Sequence, residues 1–166
     1  GGYQIRTSND DLIFQFYSSG AWRTVTSFSF FTDLNWVNDT VTIDSSNLVK
    51  MYKNGVEVFS GSIGYSIPAN SGELLFGART PATPTNFLNG EMTEVGIYDR
   101  TLTSLEVASL YNQGMPTNLL VNRNDYQSGN PTVFNTKQVG FDGNDDYMQT
   151  SETQLTGTFT LSCWFK

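Results

Sequence analysis

The sequence predicts an all-β protein, an antiparallel sandwich carrying one short helix. Three observations predict it. Short aromatic-rich runs alternate with turns built from Asn, Asp, Ser and Gly, as strands and their connections do. An Asn54-Gly55 pair sits between two such runs, the strongest short-range hairpin signal. Only one stretch carries helix start and stop signals. The chain of 166 residues is long enough for one domain with a substantial core. Its 38% hydrophobic and 14% aromatic content excludes a disordered tail. Charged residues are only 15%, and Asn, Thr, Ser and Gly fill the gap.

In chain order, residues 3–6, 12–17 and 22–31 alternate or run apolar and read as strands. Asn9-Asp10-Asp11 and Ser18-Ser19-Gly20 read as turns. Residues 36–43 form the next strand region, ending at Asp44-Ser45-Ser46-Asn47. The hairpin of residues 48–59 turns at Asn54-Gly55, because a type I′ turn needs positive φ at both central positions. Residues 73–78 and 92–98 follow as strands. The helix is expected over 104–112. Thr103 caps it, Glu106 closes a capping box, and Leu102 with Val107 forms a hydrophobic staple. Val107, Leu110 and Tyr111 make its apolar stripe, and Gly114 and Pro116 end it. Residues 115–138 lack periodicity and read mostly as a linker. Strand character resumes at Val139, and residues 159–165 form the last strand.

Composition excludes several functions. The net charge is −7 with 9 basic residues and no run of them, which argues against nucleic-acid binding. There is no histidine, so no imidazole base, triad or usual zinc ligand. The single cysteine, Cys163, lies in an apolar run and is expected to be a buried, inert thiol. No stretch is apolar enough for a transmembrane helix, so no membrane insertion is expected. Signal-peptide features and an initiating Met are lacking, so the chain is expected to be a processed product or one unit cut from something longer.

Several pieces together carry a family resemblance. They are Leu34-Asn35-Trp36-Val37, Val49 to Val56 around the hairpin turn, Leu74-Leu75-Phe76-Gly77, Phe87-Leu88-Asn89-Gly90, Glu94 to Arg100, and Leu102 with Glu106 to Tyr111. Phe141-Asp142-Gly143, Asp145-Asp146-Tyr147 and Phe159 to Trp164 look like opening strands of the same family placed last. The set resembles the laminin G-like domains of the concanavalin A-like lectin and glucanase superfamily. The resemblance implies a two-sheet jelly roll. It also implies either a circular permutation or a cut across the junction of two tandem repeats. The expected organisation is one sandwich over 1–166, with later strands and helix in 1–114, a linker in 115–138 and the opening strands in 139–166.

Fold alone does not give function. The expected function is a non-catalytic binding or adhesion module, carbohydrate-binding, of a virion or extracellular surface protein. A structural virion decoration or repeat-filament subunit is the alternative. The expected partners are accordingly a glycan or neighbouring protein subunits, including repeat-to-repeat contacts. A glucanase would need two carboxylates on one strand face. Glu91 and Glu94, the nearest pair, are oddly spaced and should face opposite ways.

For sugar recognition the candidates are Tyr17 and Trp22, which flank a polar turn, and Tyr65 in a Gly/Ser segment. Core packing is the competing reading for any aromatic in a sandwich. Trp36, Phe87, Phe141 and Trp164 fall at core-like family positions. Asp142, Asn144, Asp145 and Asp146 form the densest oxygen cluster. Two readings stand for it: a calcium site, and a tight turn in which Asp142 and Asn144 bond their own backbone. Asn9, Asp10 and Asp11 read as a solvated acidic turn. Asn38-Asp39-Thr40 is a glycosylation sequon, relevant only in a eukaryotic secretory host.

Overall fold

The structure, a computed structural model, describes residues 3–27, 35–67, 75–79, 83–111, 132–135, 139–149 and 158–166. Strands β1 (Tyr3–Ser8), β2 (Asp11–Ser18) and β3 (Ala21–Ser27) form a three-stranded antiparallel sheet in that order. Among the described residues the larger sheet has seven strands. Its members are β4 (Val37–Ile43), β5 (Leu48–Lys53), β6 (Val56–Ser62), β8 (Asn89–Tyr98), β9 (Thr132–Asn135), β10 (Val139–Asp142) and β12 (Phe159–Phe165). Its order is β10-β8-β12-β4-β5-β6, with β9 also on β8. The short strands β7 (Leu75–Phe76) and β11 (Met148–Gln149) pair with each other. The helix α1 is Ser104–Tyr111.

Alternation explains how the sheets pack. On β2 and β3, Leu12, Phe14, Phe16 and Val25 are buried together with Val41, Ile43, Val49, Met51, Ile97 and Phe159 of the larger sheet. These inward side chains form the main core between the two sheets. The opposite face of the larger sheet is covered by α1. There Val107 and Leu110 pack with Tyr52, Tyr98 and Leu102, and Tyr111 stacks on Trp164 at 5.8 Å. β4 is therefore buried along its whole length, covered on both faces and paired on both edges. Its outward polar residues are bonded under the helix: the Thr40 and Ser162 hydroxyls meet at 2.9 Å.

The hairpin forms at the expected turn, with φ of 53° at Asn54 and 76° at Gly55. A Cβ at Gly55 would also lie 3.1 Å from Ala108 Cα, so any other residue there would push the turn and α1 apart by a few tenths of an ångström. The helix cap is the expected capping box. Glu106 N donates to Thr103 Oγ1 at 3.3 Å, and Thr103 N donates to Glu106 Oε2 at 2.8 Å. Of the stretch expected as strand to 31, residues 28–31 lie outside the described residues, as do Glu73 and Leu74. Within the stretch read mostly as linker, Thr132–Asn135 forms β9 against Val95, Gly96 and Ile97. β12 lies between β8 and β4, at the centre of the larger sheet. Phe141 and Trp164 are buried as expected, while Trp36 and Phe87 are half-buried.

Candidate functional site

The turn at Ser19-Gly20 sets the register of β2 and β3 so that Tyr17 stands directly across from Trp22. Both point away from the core, because Phe16 and Ser18 on either side of Tyr17 are buried. The two rings meet edge to face, with centroids 5.6 Å apart and planes at 74°. Trp22 is 49% exposed and Tyr17 37% exposed. The core reading is thus excluded for this pair, and an outward aromatic platform is formed.

Next along the same face, Gln15 stands across from Gln4 on one side and Thr24 on the other. These side chains are already bonded into a row. Gln4 Nε2 donates to Gln15 Oε1 at 2.6 Å, and Gln15 Nε2 donates to Thr24 Oγ1 at 2.8 Å. Arg6 Nε donates to the same Gln15 oxygen at 3.2 Å. The sequence reading missed this row. Gln4, Arg6, Gln15 and Thr24 look like the solvated side of ordinary strands, and only the register brings them together. The face thus carries an aromatic pair beside fixed amide, hydroxyl and guanidinium groups.

Tyr65 is not part of that face. Its ring lies 4.1 Å under the guanidinium of Arg23, which pairs with Phe16 on the inner side of β3. Ser18 Oγ donates to Ser66 O at 3.1 Å and ties this turn to the end of β2. The structure therefore brings Tyr17 and Trp22 together and places Tyr65 with Arg23 instead.

In the acidic turn, carboxylate oxygens of Asp142, Asp145 and Asp146 lie within 4.8 Å of one another, all on exposed residues. The self-bonded turn is formed too. Asn144 donates through its backbone N to Asp142 Oδ1 at 2.8 Å and through Nδ2 to Asp142 Oδ2 at 3.1 Å. Asp142 N donates to Asp146 Oδ2 at 3.0 Å. The bonds from Asn144 hold the Asp142 carboxyl below its ordinary range. A hard cation with oxygen ligands is what such a cluster suits.

Glu91 and Glu94 do not flank an open cleft. β8 is bulged where it pairs with β12, and Glu94 sits there at φ 50°, only 7% exposed. Glu91 Oε2 lies 3.7 Å from Lys166 Nζ. Asn38 of the sequon is 1% exposed within β4, closed to modification in the folded protein. Its neighbour Asp39 is also 1% exposed, and one of its carboxyl oxygens has no hydrogen-bond partner among the described residues. Asp39 stands across from Cys163 on β12 and from Lys53 on β5. Burial pushes the Asp39 carboxyl well above its ordinary range. Cys163 is half-buried where a buried thiol was expected; burial first and Asp39 second push its thiol up, which keeps it in the unreactive protonated form.

Among the described residues, no helix is long and apolar enough to cross a membrane. No curated protein and no solved structure matches the chain. A family model does match, over residues 1–108: that of the concanavalin A-like lectin/glucanases superfamily. The match covers the three-stranded sheet with its outward aromatic face, the hairpin and most of the helix. With its antiparallel sheets packed on one core, the chain belongs to the concanavalin A-like lectin/glucanases superfamily, a fold that supports carbohydrate- or protein-binding modules.

Proposed function

We propose that this chain is a non-catalytic carbohydrate-binding module whose binding surface is the outer face of β1–β3. One observation carries the reading: the exposed Tyr17–Trp22 pair beside the bonded Gln4–Gln15–Thr24 row. A sugar ring offers an apolar C–H face and a rim of hydroxyls. The aromatic pair supplies the first complement, and the amide and hydroxyl row supplies the second. Because the row is bonded before any ligand arrives, little side-chain freedom is lost on binding. The buried Glu94 and the Lys166-paired Glu91 give no opposed acid and base, which supports binding without hydrolysis.

A surface role outside the cell, on a cell surface or a virion, accompanies this reading. In the acidic turn, Asp142, Asp145 and Asp146, with Asn144, would hold calcium. That part is tested alone, by melting the protein in millimolar calcium and in EDTA. A cation at a hundredfold excess over its Kd stabilises by about 2.7 kcal/mol. Coincident melting curves remove calcium from the reading.

A glycan array probed with the wild-type chain and with Trp22→Ala tests the main proposal. Binding by the wild type that disappears in a variant with unchanged melting supports it. No glycan bound by the wild type, or equal binding by both, contradicts it. A second reading, a structural repeat unit with protein partners, draws on the place of β12. A strand from the end of the chain fills the slot between β8 and β4, and such a strand can be supplied by a neighbouring copy or repeat. Light scattering that finds a concentration-dependent oligomer favours that reading.

A further inference from the structure

We infer a second site, on the inner side of β3 and separate from the glycan face, that takes a small amphiphilic molecule bearing one carboxylate. A cavity of about 340 Å³ opens between β3 and β6, the edge strands of the two sheets. That volume is at the low end of the range of small-molecule pockets. Phe16, Val25, Phe59 and Ile63 supply apolar wall, and Gly61 keeps the wall low. A Cβ at Gly61 would come within 2.8 Å of the Phe59 ring, so only glycine leaves that ring in its place over the strand.

Arg23 is the one charged residue lining the cavity among the described residues. Its Nε is buried and has no hydrogen-bond partner among the described residues. An unpaired buried donor on a charged group is costly, so a small shift of the Arg23 side chain that brings Nε to an acceptor in the cavity improves the site. The guanidinium is also held in position. It stacks over Tyr65 at 4.1 Å, and Ser18 anchors the Tyr65-Ser66 turn through Ser66 O. A fixed guanidinium edge matches the planar, two-oxygen acceptor of a carboxylate. One positive charge calls for one negative charge. A dianionic phosphate would leave a second charge uncompensated beside apolar wall. The tail of the ligand then covers the half-buried Phe59 and Ile63, with Phe16 already buried beneath them, and its length is limited by the cavity.

The test uses the full chain and three probes: sodium octanoate, octanol and sodium acetate. Binding is followed by amide NMR shifts and by calorimetry. Octanoate is expected to move the signals of Val25, Gly61 and Ile63. Octanol, with the tail and no charge, and acetate, with the charge and no tail, should each bind about tenfold more weakly or worse. Arg23→Gln should bring octanoate down to the octanol level. Arg23→Lys, which keeps the charge and loses the fork, should fall between them. Melting curves of both variants show that they are folded. Trp22→Ala, on the other face of β3, should leave octanoate binding unchanged. No shift at the cavity residues, or equal binding of octanoate and octanol to the wild type, overturns the inference. Should Arg23→Gln unfold, the octanoate–octanol comparison on the wild type still decides the matter.

Discussion

Replacing Asp39 by asparagine removes an ionisable group that the fold has taken out of water almost completely. Asp39 is 1% exposed, one of its oxygens lacks a partner among the described residues, and burial raises its pKa well above the ordinary value. The sign follows from proton binding. In the unfolded chain the carboxyl releases its proton near pH 4, whereas the folded chain keeps it to higher pH. The stability contributed by the protonated carboxyl is therefore full below about pH 4 and is lost as pH rises through the folded-state value. While the folded chain holds the extra proton, the loss runs at up to about 1.4 kcal/mol per pH unit. For a chain of this size that is about 2–4 °C in melting temperature for each kcal/mol. Asparagine keeps the shape without the titration. Melting curves at pH 4.5 and pH 5.5 should show the wild type losing about 3–5 °C relative to Asp39→Asn from this group alone. The Cys163 thiol across from it, pushed up by burial, keeps its proton throughout this pH range and does not enter the comparison. Parallel pH dependence of the two melting temperatures would show instead that Asp39 is solvated or paired in solution.

Other outcomes follow from the same structure. Glu106→Ala removes the carboxylate that bonds Arg100 and closes the helix cap, and should cost about 1 kcal/mol in denaturant unfolding. Arg100 first, then Thr103, pulls the Glu106 carboxyl down to about 2, so the wild-type advantage is full above pH 4.5 and is lost as pH falls toward 2. Gly55→Ala places a Cβ against α1 at a φ of 76°, and should lower stability by about 1–3 kcal/mol in the same assay. A chain ending at residue 138 loses β12 and with it Phe159 and Trp164. It should aggregate or melt without cooperativity, and a soluble truncated monomer with a sharp transition would contradict the place given to that strand.

Much of the fold was legible because local chemistry and global packing agree. Asn54-Gly55 can form its turn before any sheet exists, and Thr103 and Glu106 define the start of α1 within one helical turn. β9 was not legible. Thr132–Asn135 is short, sits in a polar stretch, and is a strand only because β8 offers it an edge. The bulge in β8 defeated simple alternation at Glu94 for a similar reason, since an extra residue in a ladder leaves no mark in residue types. The candidate site divides in the same way. Tyr17 and Trp22 could be picked out because aromatics beside a polar turn are unusual on a solvent face. Gln15 could not, because its meaning lies in bonds to Gln4 and Thr24 across two strands. Asp39 was hidden inside a sequon, and only its place between covered faces shows it as a buried acid.

The measurement that bears most directly on the proposed function is an amide NMR titration of the isotope-labelled full chain with its best glycan-array ligand. Saturable shifts are expected centred on Gln4, Arg6, Gln15, Tyr17, Trp22 and Thr24, together with broadening of the Trp22 indole N–H. Shifts centred elsewhere, on the acidic turn around Asp142 or on the helix side of the larger sheet, with the outer face of β1–β3 unmoved, would contradict the proposed function.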